Sequence, residues 1–213
     1  MTPRSRGGYA AVAAAAAAIA VTALVGGAAP RAARAQDGAA LRGPEAFAAI
    51  VDRTQRSIAL FVEAGKVFQH PRCRNCHAGD DRARQGDEGV PHQPAVRRGA
   101  DGLGAPGLRC PACHQDANYD VVGMPGLAGW SLAPPSMGLR GLPLSKICVQ
   151  LKDPDKNGSR SIDDLVTHVT NDALVIWAWA PGTGRRPPPG THGAFAALIQ
   201  AWADTGAECP RVP

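Results

Sequence analysis

The chain carries the run Cys-X-X-Cys-His twice, as Cys73-Arg74-Asn75-Cys76-His77 and as Cys110-Pro111-Ala112-Cys113-His114. Two thiols at that spacing can form thioether bonds to the two vinyl groups of one porphyrin. The His that follows at once is then carried under the iron as its proximal ligand. The pattern predicts two haem c groups, one on Cys73 and Cys76 with His77, the other on Cys110 and Cys113 with His114. Paired Cys-X-X-Cys also suits tetrahedral thiolate binding of zinc. Zinc pairs rarely place a His directly after both second cysteines, so haem is the better reading.

An electron-transfer haem keeps a second strong ligand, usually His or Met. The histidines outside the motifs are His70, His92, His168 and His192; Met124 and Met137 are the methionines beyond the start of the chain. His70 stands three residues before Cys73 and would be strained over its own haem, though it could serve the other. His92 lies between the motifs and is free to fold back. His168 follows Leu165 by three on a capped helix, beside an apolar face. The expected distal ligands are therefore His92 and His168, with Met137 and His70 as the alternatives.

Covalent haem c is attached outside the cytoplasm, and the first 35 residues have the form of an export signal. Arg4 and Arg6 precede a small-apolar run from Tyr9 to Ala29, and Ala33-Arg34-Ala35 offers a small-X-small cleavage site before Gln36. The sequence thus predicts a secretory signal over 1–35 and a periplasmic domain over 36–213, with 36–43 as a flexible N-terminus. Membrane attachment would follow only if the leader stayed uncleaved. The leader also carries the surplus charge. The whole chain has 23 basic and 18 acidic residues, net +5, but four of the arginines and none of the acids lie in the leader. The remainder balances at 19 minus 18, or +1. No basic run interleaved with aromatics remains, so a nucleic-acid partner is not expected.

Cys73 and Cys110 are 37 positions apart, whereas a self-contained domain needs roughly 100 residues. The two haems must therefore share one domain and its walls, and two tandem class I cytochrome domains are excluded. Porphyrin filling much of the core fits a chain with only 5% aromatic residues, and 25 Gly with 19 Pro fit irregular loops held by covalent cofactors. The expected fold is mainly α with long irregular loops.

Pro44 after Gly43 predicts a helix from Pro44 to about Lys66. Ser145 reads as the cap of a helix over Lys146 to Lys152. Ser161 with Asp164 reads as a capping box opening a helix through His168. Thr191 reads as the cap of a last helix running to about Ala203 and stopping at Gly206. The segment from Ala78 to Leu108 has little periodicity and reads as a loop over the haem edges. Cys148 and Cys209 remain after the haems are served, and an oxidising compartment favours their pairing as a disulfide.

Asp153-Pro154-Asp155-Lys156-Asn157-Gly158 spaces oxygen ligands as a calcium loop does. Arg160 at loop position eight and Asp164 at position twelve break the pattern, and turn chemistry accounts for the run equally well. In a strand-like or irregular stretch the rings of Trp177 and Trp179 would share one face; core packing with one indole N–H bonded is the plainer reading.

From about Val67 to Pro210 the chain resembles the small di-haem cytochromes known as isoquinoline 1-oxidoreductase subunits. The resemblance lies in His70-Pro71-Arg72-Cys73-Arg74-Asn75-Cys76-His77, in Cys110 through Asn118, in Trp130-Ser131-Leu132-Ala133-Pro134 through Met137, and in the tail Gly206-Ala207-Glu208-Cys209-Pro210. It implies association with a molybdenum-containing hydroxylase of an aromatic heterocycle or aldehyde. Such an enzyme must pass on two electrons per turnover. The chain has no pterin-binding or iron–sulfur motif, so hydroxylation is not expected of it. The sequence points to a periplasmic carrier of electrons from a dehydrogenase or hydroxylase to the respiratory chain. The alternative is a small peroxidase-like haem enzyme with one iron left open.

Overall fold

The computed structural model describes residues 40–211, and the expected leader lies outside them. The described part is mainly helical, in the order α1 (Arg53–Phe68), α2 (Pro71–Arg74), β1 (Arg84–Gln85), β2 (Val90–Pro91), α3 (Leu144–Lys152), α4 (Pro154–Asn157), α5 (Ile162–Asn171), α6 (Ala173–Trp177) and α7 (His192–Asp204). Among the described residues no helix is long and apolar enough to cross a membrane.

The first helix differs from the sequence expectation. Pro44 opens only a 3₁₀ turn ending at Phe47. Asp52 then caps α1, its carboxylate accepting from the Gln55 backbone N–H at 2.7 Å. An acidic cap satisfies a free N–H that a helix running on from Pro44 would not need to place there. Ser145 is not a cap either. Helix α3 starts two residues earlier than expected, at Leu144 after Pro143, and Ser145 is buried inside it. The Ser161–Asp164 capping box is present, and α5 runs on to Asn171. Thr191 caps α7 through Ala194. The backbone then turns at Gly206, whose φ of +109° is easy only for glycine.

Helix α7 packs against α1 and α5, and α3 packs on α1. Phe61, Leu60, Ala64 and Val67 of α1 meet Phe195, Leu198, Ile199 and Trp202 of α7, all nearly inaccessible to solvent. Ring contacts tie the two helices: Phe61 to Trp202 at 5.1 Å and Phe68 to Phe195 at 5.3 Å. Cys148 of α3 is joined to Cys209, and the bridge pins the C-terminal tail onto the core. The tail is held again where the Trp202 indole donates to the Glu208 carbonyl at 2.9 Å.

Leu41 and Arg42, at the end of the expected flexible N-terminus, are packed. Leu41 is buried, and Arg42 forks onto the buried carboxylate of Glu63 at 2.8 and 3.0 Å. Lys66 bonds the same carboxylate. Burial pushes the Glu63 pKa up, but the hydrogen bonds from Lys66 and Arg42 outweigh it and hold the group below the ordinary value.

The segment between the motifs is irregular, as expected, apart from the β1–β2 hairpin. It is nevertheless pinned. The Arg98 backbone N–H reaches the Asp81 carbonyl, and that of His92 reaches the Ala83 carbonyl at 3.0 Å. The acidic run that resembles a calcium loop forms α4, with Asp153 as its cap, and Asp164 is spent on Ser161. Trp177 closes the short helix α6, so the Trp177 and Trp179 rings diverge: Trp177 meets Trp130, and Trp179 meets His192 and Phe195.

Candidate haem sites

Each Cys-X-X-Cys-His run is a single helical turn closed on itself. The His77 backbone N–H donates to the Cys73 carbonyl, and that of His114 to the Cys110 carbonyl, both at 2.9 Å. Residues at i, i+3 and i+4 share one face of such a turn. Both thiols and the imidazole of each motif therefore present themselves to one side, as a single bound ring requires. Helix α2 supports the first turn, with His70 as its cap and Pro71 at its first position. A 3₁₀ turn over Cys110–Ala112, with Pro111 inside it, supports the second.

The first motif opens onto a cavity of about 450 Å³, within the roughly 300–1,000 Å³ range usual for cofactor sites. Cys73, Cys76 and His77 line it, as does His168 of α5. Phe68, Phe195, Ile199 and Trp202 form another part of its wall, so the helical core is also the lining of this site. Burial pushes the Cys73 thiol up to about 12 and the Cys76 thiol to about 11. Both are therefore neutral thiols at pH 7. The residues fit a c-type haem in three respects: two thiols on one turn, an imidazole beside them, and a mainly apolar cavity in front.

The second motif is more open. Cys113 is exposed, Cys110 is buried, and His114 is half-buried. The ring of His92 stands 5.9 Å from that of His114, with its plane turned by 71°. A metal–imidazole bond of about 2 Å on each side would put two rings roughly 6 Å apart, centre to centre.

The proton on each histidine ring decides which nitrogen is free. A carbonyl oxygen only accepts, so a ring nitrogen bonded to one must carry the proton. Nδ1 of His77 donates to the Met137 carbonyl at 2.9 Å, Nδ1 of His114 to the Pro125 carbonyl at 2.7 Å, and Nδ1 of His92 to the Pro94 carbonyl at 2.9 Å. Nδ1 of His168 faces the Asp172 carboxylate at 3.3 Å. All four rings thus keep a bare Nε2, the arrangement of an imidazole held by its outer hydrogen bond while it ligates a metal. The other two histidines of the chain are the reverse. His70 accepts from the Arg72 backbone N–H at Nδ1, which leaves the proton on Nε2, and Nε2 of His192 donates to the Val169 carbonyl.

Burial also keeps the buried rings neutral. It is the largest cause lowering the pKa of His77, of His114 and of His168, and the Asp172 carboxylate opposes it only in part at His168. A neutral imidazole is the form that binds a metal. Burial, then the neighbouring Arg72, lowers His70 to about 4.

Met137 lines the same cavity, but its backbone carbonyl stands behind His77, on the side of Nδ1. Its methyl end lies against Gly158, beyond α4. The two sites share a wall. The Leu132 backbone N–H donates to the Gly102 carbonyl, the Ala133 N–H to the Cys76 carbonyl, and the Cys110 thiol lies on that same Gly102 carbonyl. Gly102 has φ +76°, and a Cβ there would strike the Leu132 carbonyl, so the close approach depends on glycine. Among the described residues no three His, Cys, Asp or Glu converge as a metal cluster.

Sequence reading missed Pro125, Trp130 and Asp172 as partners of these histidines. Only Asp172 had a usable signal, its i,i+4 spacing from His168. Comparison with protein-family models, curated proteins and solved structures finds no match for the chain.

Proposed function

We propose that the chain is a di-haem c-type cytochrome that relays electrons. The observation that carries this reading is the set of four imidazoles, His77, His168, His114 and His92, each with Nδ1 turned to an acceptor and Nε2 left bare. Two irons need four axial ligands, and these fall into two pairs. His77 and His168 line one cavity; the rings of His114 and His92 lie 5.9 Å apart.

A haem c supplies reversible one-electron chemistry at its iron. The chain's own residues hold and orient it. Cys73, Cys76, Cys110 and Cys113 carry the rings, and the Met137 and Pro125 carbonyls and the Asp172 carboxylate fix the imidazoles. The wall of Phe68, Phe195, Ile199 and Trp202 gives the first site an apolar side. The two environments differ, the first motif opening onto a mainly apolar cavity and the second carrying an exposed Cys113, and burial is among the levers that set a haem potential. Two distinct one-electron steps follow from that contrast. The donor in this reading is a periplasmic dehydrogenase or hydroxylase, molybdenum-containing in the family the sequence resembles, and the acceptor belongs to the respiratory chain.

The test combines a potentiometric titration with a peroxide assay on the purified, haem-loaded protein. A carrier takes up two electrons per chain in two one-electron steps and consumes hydrogen peroxide no faster than a six-coordinate haem allows. Enzyme-like peroxide turnover, with one persistently five-coordinate iron, replaces this reading with the peroxidase one.

A further inference from the structure

We propose that Trp130 is a positioning residue for His114, holding its ring so that the two axial imidazoles of the second haem stay crossed. The inference rests on the reading of His92 and His114 as the pair on one iron.

A ligating imidazole can swing about its metal bond, and one hydrogen bond at Nδ1 restrains that swing only weakly. His114 has a second restraint. The Trp130 ring lies flat on it, 4.7 Å away and inclined by 15°. Trp130 is itself wedged by the edge of Trp177, at 4.7 Å and 89°. The Trp177 indole donates to the Asn118 side-chain oxygen at 3.0 Å. The same oxygen accepts from the Gly126 backbone N–H at 3.0 Å, and Gly126 follows Pro125, whose carbonyl takes the His114 proton. The Asn118 amide nitrogen donates in turn to the Ala180 carbonyl at 3.0 Å. One side chain therefore anchors both restraints on His114, its stacked face and its in-plane hydrogen bond.

His92 is held separately, through the Ala83 and Pro94 carbonyls. The two rings are set by unconnected parts of the chain, and their planes meet at 71°. Ligand planes that cross bring the two iron d-orbitals of π symmetry close in energy, whereas parallel planes separate them. A low-spin ferric iron between crossed imidazoles gives a strongly anisotropic paramagnetic signal with a very large gmax; one between parallel imidazoles gives the ordinary rhombic signal.

The experiment is low-temperature EPR of the oxidised, haem-loaded protein and its variants. The wild type should give one large-gmax signal, assigned to the second haem by its loss in His92→Ala. Trp130→Leu should convert that signal to a rhombic low-spin one, with both haems retained and the other haem's signal unmoved. Trp130→Phe, which keeps a flat face, should preserve it. If Trp130→Leu fails to assemble, Asn118→Ala must produce the same conversion. A wild type with two rhombic bis-imidazole signals overturns the proposal, as does a Trp130→Leu signal identical to wild type. If His92→Ala leaves both haems low-spin, the pairing of His92 with His114 is what fails.

Discussion

The Met137 carbonyl accepts the Nδ1 proton of His77 at 2.9 Å, which puts Met137 behind the imidazole beside the first pair of thiols. A residue read from its sulfur as an alternative distal ligand contributes a backbone oxygen to the His77 ring instead. In the proposed reading His168, which lines the same cavity, completes the first site.

Replacing Met137 by Leu should therefore leave both haems low-spin, with no near-infrared methionine–iron band to lose. His168→Ala and His92→Ala should each turn one haem high-spin and shift one midpoint potential. His70→Ala should leave the spectrum intact and cost about 1 kcal/mol, the usual value of a helix cap. Visible and near-infrared spectra with chemical unfolding separate these outcomes. A methionine band lost in Met137→Leu would return Met137 to the ligand set.

The Cys148–Cys209 bridge closes a span of 61 residues around α5 and α7. Its removal by Cys148→Ser with Cys209→Ser should lower stability by about 2–5 kcal/mol while sparing both haems. Unfolding of the variant and wild type, followed by circular dichroism, measures the loss. An unchanged unfolding midpoint would contradict a structural role.

Glu63 makes stability depend on pH. Its folded pKa lies below the ordinary carboxylate value, so the stabilisation is present above the unfolded pKa and is lost as pH falls through the folded one. The wild type should weaken as pH drops below about 4.5, the ordinary value for a Glu side chain. Glu63→Gln should be less stable at neutral pH by about 2 kcal/mol, the scale of a hydrogen bond to a charged group, and should flatten the acid slope. Urea midpoints measured across this range check both; parallel slopes for the two proteins would contradict the assignment.

What was legible in the sequence was local. The attachment turns, the Ser161 box and the Thr191 cap are each written within a few residues, and the structure contains them. Pro44 misled because proline is suited to starting a turn whether or not a helix follows, and Asp52 starts the real one. Ser145 misled because a buried hydroxyl in the first turn of α3 has the same residue type as a cap. The tautomers of the histidines were not legible. They depend on the Met137, Pro125 and Pro94 carbonyls, and a backbone oxygen carries no trace of residue type. Trp130 was visible as an aromatic residue, but not as the face on which His114 rests.

The most direct test is the spin state of the oxidised protein as isolated, read by visible absorption and quantitative EPR beside its intact mass. Two covalent haems per chain, with all the iron low-spin, is the result this account predicts. A colourless, zinc-loaded chain, or one haem that stays high-spin at neutral pH, would contradict it.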